Sequence, residues 1–155
     1  MPVTSQHARG DGRLYHGGAP RLRVGELLLP PAETGHVPPR LRQGLRVNGM
    51  AVRDWFGPDL NRPDRVYLTS DRELARGYAA YCGWSFGGHG ALYVAEPEGG
   101  AEPDADMPWV SVQCPRARIV RVYDPAVWLS RTQTARRLAA HIRVAEPTII
   151  AERQP

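Results

Sequence analysis

The sequence predicts an α+β domain of short strands and few helices, on three observations. Val66 and Leu68 alternate with Tyr67, the period of two expected of a strand with one apolar face. From Asp71 to Tyr78 the spacing becomes helical, with Leu74 and Tyr78 on one face. Sixteen glycines and 15 prolines in 155 residues cut the remainder into short pieces. A chain of this length forms one domain with a real core. Residues 1–12 read as a flexible N-terminus and 13–155 as that domain.

The totals narrow the function classes. The net charge is +4, and all 20 basic residues are arginine. They are scattered, without a run of five or six, so a nucleic-acid surface is not indicated. Two cysteines, Cys82 and Cys114, are too few for a disulfide scaffold or a structural zinc site and read as small core residues. His36, His89 and His141 lack ligand spacing, so no metal is expected. Met1 to Asp11 has no apolar core of a signal peptide, and no apolar run reaches membrane-spanning length. The expectation is a cytoplasmic, monomeric protein without a membrane partner.

Taken in order, Arg13 to Gly18 reads as a strand ending in a tight glycine turn. Leu14 and His16 share a face, and Gly17 and Gly18 allow the backbone to approach a ligand closely. Leu22 to Pro31 gives a turn at Gly25, then an apolar strand stopped by Pro30 and Pro31. Residues 32–64 are the least regular, with Pro38, Pro39, Pro58 and Pro63, and read as a substrate-side loop with one short helix. Trp55-Phe56 in that loop is either its anchor into the core or part of a binding wall.

Next come the strand around Tyr67 and its helix, with Thr69 or Ser70 as the cap and Asp71 and Glu73 in the first turn. The glycine-rich loop Tyr81 to Gly90 is no phosphate loop: no Gly-Lys-Ser/Thr follows, and a strand, Ala91 to Ala95, comes after it. Glu96 to Gly100 turns the chain into Ala101 to Asp106, an acidic segment too irregular for a helix. Ser111 to Cys114 and Ala117 to Tyr123 are two more strands, separated at Pro115. A helix over Thr132 to Ile142 buries Ala135, Leu138 and Ile142, and Pro147 to Ala151 forms a last strand.

Ten residues separate Tyr67 from Tyr78. Strand end and helix can thus hold two rings on either side of one slot, suited to a flat, electron-poor ring such as nicotinamide. The alternative is that both are ordinary half-buried aromatics.

Three segments together carry a resemblance. Tyr15-His16-Gly17, then Val66-Tyr67-Leu68-Thr69, then Leu92 to Gly99 followed by Glu102-Pro103-Asp104, resemble the rifamycin ADP-ribosyltransferases, a His-Tyr-Asp group within the wider ADP-ribosyltransferase fold. The likeness runs from about Leu14 to Val122. It implies a split β-sheet or β-sandwich core with a few short helices. It also implies an enzyme that transfers ADP-ribose from NAD, its co-substrate, to a hydroxyl of a small molecule and releases nicotinamide. A rifamycin-type antibiotic is the leading acceptor, and antibiotic resistance in bacteria the implied role. On this likeness His16 hydrogen-bonds a ribose hydroxyl, the Gly17 backbone meets the nicotinamide amide, Tyr67 stacks on its ring and Tyr78 covers the other side. Asp104 aligns with the acidic residue, with Asp106 and Glu102 as fallbacks.

The chemistry agrees with that cast. Nicotinamide in NAD is already a cationic leaving group, so no general acid is needed. What helps is a carboxylate near the developing positive charge at the sugar, and hydrogen bonds that fix the ribose. The likeness is weaker over Pro30 to Asp64, at Ala75 to Tyr78, and at Ser111 to Cys114, where the family tends to have Ser-Tyr-Arg-Thr. These segments lie on the acceptor side. Two other readings therefore stay open: a transferase toxin acting on a protein or nucleic acid, and a non-catalytic module binding NAD or ADP-ribose.

Overall fold

A computed structural model describes residues 12–34, 46–47, 50–51, 64–83, 89–104 and 108–138. The fold is α+β. In chain order the elements are β1 (Tyr15–Gly18), β2 (Leu27–Leu28), α1 (Pro31–Thr34), β3 (Arg46–Val47), β4 (Met50–Ala51), β5 (Val66–Thr69), α2 (Arg72–Gly83), β6 (Gly90–Glu98), β7 (Glu102–Pro103), β8 (Ser111–Cys114) and β9 (Arg116–Val127). A further helix, α3, covers 131–138. Seven strands make one sheet in the order β2-β9-β6-β1-β5-β8-β7, with every neighbouring pair antiparallel.

Strand β6 is the centre of the molecule. Its run Ala91-Leu92-Tyr93-Val94-Ala95 is buried throughout, because both faces of the sheet are covered there. On one face Ala91, Tyr93 and Ala95 join Leu28, Val66, Leu68, Val112, Cys114, Ala117 and Ile119. On the other, Leu92 and Val94 meet Tyr15, Val127 and the small residues Ala75, Ala79 and Ala80 of α2. The alternation read at Val66, Tyr67 and Leu68 is therefore real: the first and last lie in the core and Tyr67 is half-buried.

Glycines let α2 sit low on the sheet. A Cβ on Gly17 would lie 1.9 Å from the Ala75 carbonyl oxygen, and one on Gly90 would lie 2.2 Å from that of Ala79. The Cα of Gly17 is thus spent on helix packing, where the sequence suggested an approach to ligand. Gly18 differs again: its Cβ would lie 2.6 Å from His16 Nε2, so its bareness makes room for the imidazole.

The start of α2 also departs from expectation. Asp71, not Thr69 or Ser70, is the cap: its Oδ1 accepts the Leu74 N–H at 3.1 Å. Thr69 acts one step earlier, its Oγ1 accepting the Asp71 N–H at 3.1 Å and donating to the Val110 carbonyl at 3.0 Å. Replacing Asp71 by alanine is expected to cost about 1 kcal/mol. In a chain of this size that is roughly 2–4 °C of melting temperature, readable by thermal unfolding.

Two short elements replace expected irregularity. Within 32–64, β3 and β4 pair as a hairpin, Arg46 opposite Ala51 and Val47 opposite Met50. The dipeptide between them, Asn48-Gly49, is the strongest local hairpin signal and was the available clue. The acidic segment after Gly100 contains β7, an edge strand paired with β8. The C-terminal helix is described as far as Leu138, which is buried. Ile142, the strand expected at 147–151, the N-terminal 1–11, Trp55-Phe56, His36, His141 and Asp106 lie outside the described residues. Among the described residues, no helix is long and apolar enough to cross a membrane.

Candidate active site

The sheet divides between β1 and β5. Strand β1 pairs with β6 through four residues, but with β5 only through Tyr15 opposite Thr69. Antiparallel strands point the backbone groups of alternate residues to opposite edges. The Leu14 carbonyl accepts from Ala95 on the β6 side. The groups of Tyr15 and Gly17 accordingly face β5, and by the same count the Tyr67 carbonyl faces β1. Past Tyr15 the two strands no longer pair, and a notch opens between Gly17 and Tyr67.

His16 fills that notch. Its Nδ1 lies 2.9 Å from the Tyr67 carbonyl oxygen. A carbonyl only accepts, so Nδ1 carries the proton and donates it; in the neutral ring Nε2 is then an acceptor. Burial holds the imidazole below its ordinary pKa of 6.5, the bond to Tyr67 opposing the shift. At neutral pH the side chain thus presents an acceptor suited to a sugar hydroxyl. His16 also stands opposite Tyr93, whose hydroxyl accepts from Leu22 N–H at 3.2 Å and donates to the Ala19 carbonyl. The loop after β1 is held down by those two bonds.

The sign of the shift fixes a pH dependence. The unfolded chain, with an ordinary histidine, binds the proton at higher pH than the folded one. The stabilisation from neutral His16 is complete above about 6.5 and is lost as pH falls through its lower folded value. Wild type is expected to lose melting temperature between pH 7 and pH 5 more steeply than His16→Gln. Parallel slopes would show that the imidazole does not titrate there.

Tyr67 leads onto a polar surface. Because Val66, Leu68, Val112 and Cys114 turn to the core, the side chains of Tyr67, Thr69, Ser111 and Gln113 turn to the opposite face, the one on which α2 lies. Tyr67 stands opposite Gln113, and Gln113 opposite Glu102. One rung along, Thr69 stands opposite Ser111, and the Ser111 carbonyl accepts the Asp104 N–H at 2.9 Å. Asp104 is therefore two strand spacings, about 10 Å, from β5. That is a span of the order of a pyridinium ring and its sugar.

The acidic candidates are not equivalent. Asp104 is buried, only 4 % exposed, which is unusual for an aspartate that merely closes a turn. Glu102 is exposed and ion-paired with Arg65 at 3.2 Å. Tyr78 projects half-buried from α2, on the same side of the sheet as the Tyr67 ring. His16 meets Tyr67 only at its backbone carbonyl: standing opposite Tyr93, the His16 side chain leaves the sheet on the face away from α2, whereas the Tyr67 ring leaves it on the α2 face.

Sequence reasoning missed Gln113 and Ser111. Both are buried, at 7 % and 2 % exposure, on the polar face between Tyr67 and Asp104. The polar–apolar alternation of Ser111-Val112-Gln113-Cys114 was the signal. The thiols lie elsewhere: burial pushes Cys82 and Cys114 up to about 11, and the Cys114 thiol donates to the Val66 carbonyl at 3.6 Å. Among the described residues no group of three or more His, Cys, Asp or Glu side chains is placed to hold a metal ion.

No protein-family model and no curated protein matches this sequence.

Proposed function

We propose that the chain is an NAD-dependent mono-ADP-ribosyltransferase of the His-Tyr-Asp type, built on the ADP-ribosyltransferase fold. The observation that carries this reading is the notch between β1 and β5, bridged by the His16–Tyr67 bond and bordered by a polar sheet face ending at buried Asp104. The residues present fit the dinucleotide's reactive end. Gly17 turns a backbone N–H and C=O toward the notch, the pair a primary carboxamide needs, while His16 offers an acceptor to a sugar hydroxyl.

NAD supplies a bond to ribose whose leaving group is already cationic. The protein's part is orientation and charge. His16 and the Gly17 backbone hold the sugar and the nicotinamide amide in one pose. Tyr67 lies against the ring and Tyr78 closes it from the helix side. Asp104 places a carboxylate where positive charge develops at the sugar and accepts the proton of the incoming hydroxyl. That hydroxyl belongs to a small molecule, with rifamycins first by the likeness of the His16, Tyr67 and Asp104 segments to the rifamycin enzymes.

The test is incubation with NAD and a panel of acceptors including rifamycins, reading nicotinamide release and the mass of the product. Transfer predicts a mass gain of one ADP-ribose on an acceptor. NAD binding without nicotinamide release under any acceptor would reduce the protein to a binding module. Transfer to other acceptors with none to rifamycins would keep the chemistry and discard that substrate.

A further inference from the structure

Resting on the reading above, we infer that Trp128 and His89 form a stacking site for a flat, amino-bearing heteroaromatic ring. Four observations converge on it. Trp128 is 65 % exposed, although Val127 and Leu129 on either side of it pack into the core. The backbone there is held, and alternation turns the indole outward. The indole meets His89 with ring centroids 4.9 Å apart and planes 55° apart, and its exposure leaves the rest of the ring bare. Beside it, His89 Nδ1 is covered by protein yet has no hydrogen-bond partner.

The place also fits. Gly18 stands opposite Ala91 and Gly90 opposite Val127, so both rings lie at the end of the sheet toward which the notch opens. Tyr67 is level with Leu92, and His89 is three residues further along and two strands across, a separation of about 14 Å. A dinucleotide extended from Tyr67 reaches that far with its second base. A buried nitrogen without a partner weakens the ligand-free fold, and a ligand that completes it recovers that loss. The exposed indole is its cover and has room to swing aside. A base stacked on the indole then turns its edge to His89. Adenine carries an amino donor and ring-nitrogen acceptors on that edge, so it satisfies Nδ1 in either tautomer of the imidazole. The ring has two sources, the adenine of NAD or an aromatic acceptor of the same chemistry.

The experiment compares wild type, Trp128→Ala, Trp128→Phe and His89→Phe in the full chain. Melting temperature is read without ligand. Calorimetry gives affinities for NAD and for its two halves, adenosine monophosphate and nicotinamide mononucleotide, and nicotinamide release gives KM across the acceptor panel. Trp128→Ala is expected to keep its melting temperature and to bind NAD and adenosine monophosphate on the order of tenfold more weakly. Its affinity for nicotinamide mononucleotide should match wild type, and Trp128→Phe should recover most of the loss. His89→Phe should weaken the same two ligands with melting temperature unchanged or raised. Unchanged NAD affinity with KM raised for aromatic acceptors alone would assign the ring to the acceptor, and equally supports the inference. Affinities and KM unchanged in Trp128→Ala, or an equal loss for both halves of the dinucleotide, overturns it. If wild type binds neither NAD nor adenosine monophosphate, the functional reading and this inference fall together; if wild type binds NAD and Trp128→Ala matches it for every ligand, only the inference does.

Discussion

Asp104→Ala is expected, on the proposed function, to lower turnover with NAD by about 10²- to 10⁴-fold, the loss that follows when a group acting on the reacting atoms is removed. KM for NAD should change little, because the proposed function assigns the ring and ribose contacts to His16, Gly17 and Tyr67. Asp104→Asn should fall almost as far, since it keeps the shape and the buried position but removes the charge. Asp106→Ala is expected to retain most activity. So is Glu102→Gln, because Glu102 is already engaged by Arg65 on the exposed edge strand. Nicotinamide release at saturating NAD and acceptor, with folding checked by melting temperature, ranks the variants. If Asp106→Ala were the crippled variant instead, the acidic role would move along the loop.

Gly17→Ala is the second large effect, and it falls on stability. The new Cβ would meet the Ala75 carbonyl oxygen at 1.9 Å and the Ala79 amide nitrogen at 2.6 Å, both backbone atoms of α2. Nothing there can swing aside, so the helix itself must lift from β1. Overpacking of this kind costs about 3 kcal/mol or more. For a chain of this length that is roughly 6–12 °C of melting temperature. Gly18→Ala makes the informative contrast. Its Cβ meets only His16 Nε2, the far end of a side chain that can rotate away. Melting temperature should move by only a few degrees, while activity drops because the imidazole leaves the Tyr67 carbonyl. Thermal unfolding and NAD turnover on the two variants separate the roles of adjacent glycines. A mild Gly17→Ala would mean that α2 has more room above β1 than these distances allow.

Local pattern carried much of the fold. The alternation at Val66-Tyr67-Leu68 and the continuous run Ala91 to Ala95 named the strands because burial on one or two faces leaves that imprint on sequence. Strand β9 was foreseen only from Ala117 to Tyr123, whereas it extends from Arg116 to Val127. Pro125 lies inside the extension, where it is tolerated because this part of β9 lies beyond its register with β2 and is a free edge on that side. Strand β7 was missed for a related reason: a two-residue strand containing Pro103 has no period to read. The helix cap was misplaced by one residue because Thr69, Ser70 and Asp71 are all good caps, and only tertiary geometry chooses among them.

The candidate site could be proposed by residue type and not by mechanism of assembly. His16, Tyr67 and Asp104 were proposed from their segments. What brings them into relation is the end of pairing between β1 and β5, which is a long-range property that no short segment encodes. The glycines mislead for the same reason. Gly17 and Gly18 look alike in sequence, yet one accommodates a helix and the other a ring.

The solitary rung between Tyr15 and Thr69 sorts the protein into two leaves with different freedoms. The broad leaf, β2-β9-β6-β1, carries most of the apolar mass and the seat of α2, so changes there are constrained by folding. The narrow leaf, β5-β8-β7, shows one polar surface made of Tyr67, Gln113, Ser111 and Asp104. Exchanging residues on that narrow surface leaves the broad one untouched, so under the proposed function preference for an acceptor could drift while the scaffold stays as it is.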